Sequence, residues 1–109
     1  MSSRLRAITI VVALLYFAAS LFHAGVINGR TLPGAVIPEA VLGAVLLVVA
    51  ILRRWAIAAY VIVLLGTIFG FTIVLPGGLA DIDVQIHLAM FAGLAVCFAV
   101  WAWERRASR

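Results

Sequence analysis

The chain has 109 residues, of which 67% are hydrophobic and only 11% are charged. This composition excludes a water-soluble globular domain, because such a domain cannot bury so large an apolar fraction. The length leaves room for a single domain over residues 1–109. The net charge of +4 comes from arginines beside apolar runs, which favours contact with lipid headgroups over nucleic acid.

Four apolar runs occupy most of the chain, and each approaches the roughly 17 to 25 residues that a helix needs to cross a bilayer. Turn-forming residues separate two of the pairs, with Asn28-Gly29-Arg30 after the first run and Pro76-Gly77-Gly78 after the third. Membrane spans are predicted over residues 7–27, 35–52, 55–75 and 84–103. The sequence therefore predicts an all-α fold, a polytopic transmembrane four-helix bundle.

Arginine placement predicts the orientation of this bundle. Seven of the eight arginines lie on one side of the predicted spans: Arg4, Arg6, Arg53, Arg54, Arg105, Arg106 and Arg109. Basic residues in short loops are retained on the cytoplasmic side of a membrane. We therefore expect a multi-pass protein of the bacterial inner membrane with both termini cytoplasmic.

Small and polar residues at helical spacing predict which face of a span meets other helices, because nearly every other residue is apolar. In the first span this stripe comprises Thr9, Ala13, Tyr16, Ser20 and His23. The glycines expected at helix contacts are Gly43 in the second span and Gly66 and Gly70 in the third. The last two form a GxxxG pattern, which fits either packing within the chain or contact with a second copy.

Four ionisable residues lie within or at the edge of the spans, where burial in hydrocarbon is costly unless a partner satisfies them. They are His23, Glu39, Asp83 and His87. At about 1.5 Å of rise per residue, His23, Glu39 and His87 reach a similar depth of roughly 6 Å below the outer surface. We expect these side chains to converge near the outer face, with Gly70 leaving room for them.

Three interpretations of this cluster stay open. It is a structural plug, in which the carboxylate and imidazoles satisfy one another with the help of the Tyr16 and Ser20 hydroxyls. Alternatively, Glu39 exchanges a proton with a histidine as a pathway opens. The third interpretation is a metal or haem site, for which His23, Glu39 and His87 are the candidate ligands.

Asp83 has two simpler roles open to it, pairing with His87 one turn away or capping its own helix. The sequence does not specify a bound metal, haem, quinone or other cofactor. It also lacks a nucleophile constellation or phosphate loop, so no catalytic residue is predicted.

The stretch Pro38-Glu39-Ala40-Val41-Leu42-Gly43, an aliphatic run, and then Arg53-Arg54-Trp55-Ala56 lead into a third span rich in alanine and glycine. This pattern, mainly over residues 36–70, resembles the DoxX-like small four-helix bacterial membrane proteins. In that family an acidic residue and a glycine open the second span, positions that match Glu39 and Gly43. The resemblance implies a partner subunit in a membrane redox assembly.

Two functions are therefore carried forward. The first is a non-catalytic subunit or oligomeric helper of a membrane complex, such as a redox complex. The alternative is a minimal dimeric transporter or proton-coupled exporter that uses the His/Glu cluster. In both cases the lipid bilayer and either a homo-oligomer or a larger membrane complex are the expected partners.

Overall fold

The computed structural model describes residues 1–26 and 31–108, which form four long helices and one short turn of 3-10 helix, Leu75–Gly77. The helices are α1 (Ser3–His23), α2 (Pro33–Leu52), α3 (Ala56–Val74) and α4 (Ile82–Ala107). Each is long and apolar enough to cross a membrane. The prediction of four such helices is confirmed, whereas the turn predicted at Asn28-Gly29-Arg30 lies outside the described residues.

The predicted helix boundaries are wrong at several ends. The first apolar run was predicted to extend to residue 27, but α1 ends at His23 because Gly25 adopts a positive φ of 84°. The Gly25 N–H donates to the Phe22 carbonyl at 3.1 Å, and the Val26 N–H donates to the Leu21 carbonyl at 3.2 Å. These two bonds form a Schellman motif, the usual way in which glycine ends a helix.

Polar caps extend α1 and α4 beyond their apolar runs. The Ser2 hydroxyl accepts from the Leu5 N–H at 3.0 Å, so α1 starts at Ser3 and not at residue 7. The Asp81 carboxylate accepts from the Asp83 N–H at 2.8 Å and caps α4. Hydropathy marks where side chains are apolar, whereas the helix itself begins at its capping residue.

The start of α1, the end of α4 and the α2–α3 turn lie together at one end of the bundle, here called the termini end. The Ser2 hydroxyl donates to the Glu104 carboxylate at 2.7 Å, and the amino terminus donates to the Arg53 carbonyl at 3.3 Å. Three arginine–tryptophan stacks surround this end: Arg4 on Trp103, Arg54 on Trp55, and Arg105 on Trp101. The opposite end, where α1 leads to α2 and α3 leads to α4, is called the loop end.

Two tyrosine–threonine pairs join α1 to α3 through the interior of the bundle. The Tyr60 hydroxyl lies 2.6 Å from the Thr9 hydroxyl, and the Tyr16 hydroxyl lies 2.6 Å from the Thr67 hydroxyl. Each threonine donates its own proton to the carbonyl four residues earlier, so each tyrosine is the donor within its pair. The pairs are seven residues apart on both helices, as expected for helices that run in the same direction.

The α1 stripe predicted to face protein is confirmed, since its five residues are all buried. Gly43 of α2 makes the approach of α1 possible. A β-carbon at Gly43 would lie 3.2 Å from the Ala13 carbonyl oxygen and 3.2 Å from the Phe17 ring. Gly66 has the same use toward α2, because a β-carbon there would lie 2.9 Å from the Leu42 side chain. Both glycines therefore serve packing within the chain.

Replacing Gly43 with valine should force α1 and α2 apart and destabilise the fold by about 1–3 kcal/mol, the usual cost of overpacking. The neighbouring variant Ala44→Val is a matched control, because Ala44 is exposed on the outer face of α2. Unfolding in mixed micelles of mild detergent and dodecyl sulfate measures both variants. Equal stability of the two variants would show that α1 and α2 do not depend on this close contact.

Candidate functional site: a buried His/carboxylate cluster

The four ionisable residues singled out in the sequence lie together at the loop end. His23 is the last residue of α1, Glu39 lies about two turns into α2, and Asp83 and His87 occupy the first two turns of α4. All four are at least nine-tenths buried. Because the Leu32 N–H donates to the His23 carbonyl at 2.8 Å, the end of α1 is tied directly to the start of α2.

His23 bridges two carboxylates that belong to different helices. Its Nδ1 atom forms a hydrogen bond with Glu39 Oε1 of α2, and its Nε2 atom lies 3.0 Å from Asp83 Oδ1 of α4. The Glu39–His23–Asp83 chain therefore connects α1, α2 and α4 within the apolar interior. We refer to these three residues as the bridging triad.

The hydrogen-bond pattern of the bridging triad fixes how many protons it holds. Each contact between nitrogen and oxygen requires one proton, so the two contacts require two. An imidazole with both protons is an imidazolium, which places one positive charge between two carboxylates. Wherever each proton rests along its bond, these three side chains together carry one net negative charge.

His87 is held in one tautomer by the backbone. Its Nδ1 atom lies 2.8 Å from the Asp83 carbonyl oxygen, which only accepts, so Nδ1 carries a proton. In the neutral ring Nε2 then presents a lone pair. This atom faces Gly70 of α3, where a β-carbon would lie only 2.8 Å away. Asp83 and His87 thus meet through a main-chain carbonyl, while the Asp83 side chain turns to His23.

A cavity of about 160 Å³ adjoins the bridging triad between α2, α3 and α4. Glu39 and His87 contribute to its wall, together with apolar side chains that include Leu42, Phe69 and Met90. The second carboxylate oxygen of Glu39, Oε2, is buried and has no hydrogen-bond partner within residues 1–26 and 31–108. Such an atom is costly in an apolar interior, so it marks a place where a further donor is favoured.

The structure gives the two hydroxyls expected to support the cluster to other partners. Tyr16 donates to Thr67, and the Ser20 hydroxyl donates to the Val36 carbonyl at 2.6 Å. Ser20 therefore joins α1 to α2 one turn from His23, whereas Tyr16 joins α1 to α3. Both residues support the walls around the bridging triad without touching its carboxylates or imidazole.

The arrangement of His23, Glu39 and His87 does not suit a metal ion or a haem. Among the described residues, no group of three or more His, Cys, Asp or Glu side chains is placed to hold a metal. Both ring nitrogens of His23 already face carboxylate oxygens. Ligation by His23 would therefore require one of these hydrogen bonds to break.

Sequence reasoning missed Tyr60 and the cavity. Tyr60 is completely buried and completes the pair with Thr9. A tyrosine in the middle of an apolar run was an available signal, since its hydroxyl requires a partner when buried. The cavity had no comparable signal, because it results from the spacing of three helices.

Comparisons with known proteins leave this site without a counterpart. No family model matches the chain, and no curated protein or solved structure matches it. The DoxX-like resemblance therefore stays a prediction that depends on Glu39, Gly43 and the residues around them.

Replacing His23 with leucine should destabilise the protein by about 3–5 kcal/mol, because two buried carboxylates lose the cation between them. The variant Glu39→Leu should also destabilise it, since His23 loses one acceptor. The double variant should cost less than the sum of the two single variants by about 0.5–3 kcal/mol, because the two side chains form one network. Additive losses in detergent-based unfolding would contradict the bridging role of His23.

Proposed function

We propose that this chain is a multi-pass protein of a bacterial inner membrane, with both termini cytoplasmic. Support comes from the termini end, where three arginine–tryptophan stacks surround the helix ends. Tryptophan and arginine are enriched together at the membrane interface, and short basic segments favour the cytoplasmic side. The lipid-facing surface would be formed by large exposed apolar side chains such as Val11, Leu14 and Phe69.

Within that membrane we propose that the protein acts as a small non-catalytic subunit or oligomeric helper of a larger complex. The observation that carries this proposal is the use of the buried polar groups. Four side chains tie helices to one another: His23, Asp83, Tyr16 and Tyr60. Groups committed to fixed contacts of this kind favour a rigid scaffold over a site of bond making.

The resemblance to DoxX-like proteins supports the same proposal. Glu39 and Gly43, the two residues that it carries over, are both structural contacts here. Glu39 binds His23, and Gly43 admits the α1 backbone. A redox complex is the assembly that this resemblance favours, with the chain as one of its membrane subunits.

A second candidate is a minimal dimeric proton-coupled transporter. Glu39 favours it, because its Oε2 atom is buried beside a cavity without a hydrogen-bond partner in the described ranges. A carboxylate in this position could bind and release a proton as a ligand leaves and enters. One four-helix unit is too small to enclose both a pathway and its gates, so this function requires two copies.

Purification of the tagged chain from its native membrane in a mild detergent separates the two functions. We expect a complex larger than any homo-oligomer, in which mass spectrometry identifies a second polypeptide and an absorption spectrum shows haem or flavin. A tagged four-helix protein of unrelated sequence, purified in parallel, controls for unspecific recovery. A dimer of this chain alone would contradict the subunit proposal and favour the transporter.

A further inference from the structure

The cavity at the loop end has the volume and the walls of a small-molecule site. Its volume of about 160 Å³ is close to the cavity of about 150 Å³ that accommodates one benzene molecule in an engineered protein interior. Most of the wall is apolar. Phe69 and Ile73 line it and are also largely exposed on α3, so the cavity opens on the outer surface of the bundle between α2 and α3.

The polar atoms of the wall are acceptors. Glu39 offers Oε2, which lacks a partner within the described part of the chain. His87 offers the lone pair of Nε2, because its Nδ1 proton is given to the Asp83 carbonyl. The hydroxyl of Thr67 also lines the cavity, but its proton is donated to the Val63 carbonyl. No side chain among the described lining residues therefore offers a free donor in this arrangement.

Gly70 keeps the imidazole of His87 accessible from the cavity. Any larger residue at this position would place a carbon 2.8 Å from Nε2, closer than two such atoms pack. The absence of a side chain at Gly70 thus accommodates the ring of His87 beside the cavity.

We propose that this cavity binds a protonated primary amine carried on a benzene-sized apolar body. A primary ammonium group has three donors, enough for both Glu39 Oε2 and His87 Nε2, and its charge is opposite to that of the bridging triad. The apolar body fills the space beside Leu42 and Met90. A hydroxyl of the same size has only one proton to donate and no charge, so the site discriminates against neutral analogues.

Benzylamine and benzyl alcohol test the proposal, because they share a ring and differ in the amine. Isothermal titration of the full-length protein in lipid nanodiscs at neutral pH measures both, with empty nanodiscs as the blank for partition into lipid. We expect benzylamine to bind at least about tenfold more tightly than benzyl alcohol, as a charge-assisted contact gives. Equal affinities, or no binding of benzylamine above the blank, would overturn the proposal.

The variant Glu39→Gln should lower benzylamine affinity by about tenfold or more, because the anionic acceptor is lost. The variant Glu104→Gln removes the same charge at the termini end, far from the cavity, and should bind like the wild type. Similar binding by both variants would overturn the role of Glu39.

If Glu39→Gln fails to fold, the wild-type protein still gives an answer. Benzylamine should shift the ¹⁵N resonance of His87 Nε2, because that atom becomes a hydrogen-bond acceptor. An unchanged His87 resonance at saturating benzylamine would show that the amine does not reach the cavity. This test does not require a partner protein, so its result is independent of the proposed subunit function.

Discussion

Hydrocarbon provides neither donors nor acceptors, and this constraint governs the interior of the bundle. A polar side chain within a span must find its partner in another helix or in its own backbone. The bridging triad meets this requirement at the loop end, where His23 joins carboxylates from α2 and α4. Deeper in the bundle, the two tyrosine–threonine pairs meet it between α1 and α3. Every helix is thus joined to another by polar contacts in addition to apolar packing.

Glycine placement makes these contacts geometrically possible. Gly25 ends α1 at His23, so the imidazole lies at the level of Glu39 and Asp83. Gly43 brings the α1 backbone against α2, and Gly70 leaves space for the second imidazole, His87. The same arrangement leaves one Glu39 oxygen and one His87 nitrogen beside an apolar cavity. Structural and binding roles therefore meet in Glu39, and a ligand at its free oxygen would act directly on a contact between helices.

Four helices and the buried stripe of α1 could be predicted from sequence because both follow from local patterns of apolar and polar residues. The convergence of His23, Glu39 and His87 at one depth followed from counting residues along helices. The partners of Tyr16 and Ser20 could not be found this way, since a hydroxyl close to two acceptors is assigned only by the rotation of its helix. The end of α1 was missed because four apolar or small residues after His23 continue the hydropathy pattern, whereas Gly25 ends the helix through its backbone conformation.

The bridging triad is the central element of this account, and its geometry can be measured directly in a bilayer. Solid-state NMR on protein with ¹⁵N-labelled histidine and ¹³C-labelled Glu and Asp carboxyl groups gives distances from the His23 ring nitrogens to both carboxyl carbons. Hydrogen bonding predicts one carboxyl carbon within about 4 Å of each ring nitrogen. If either the Glu39 or the Asp83 carboxyl carbon lay more than about 6 Å from both nitrogens, beyond any hydrogen bond, the His23 bridge between α2 and α4 would not exist.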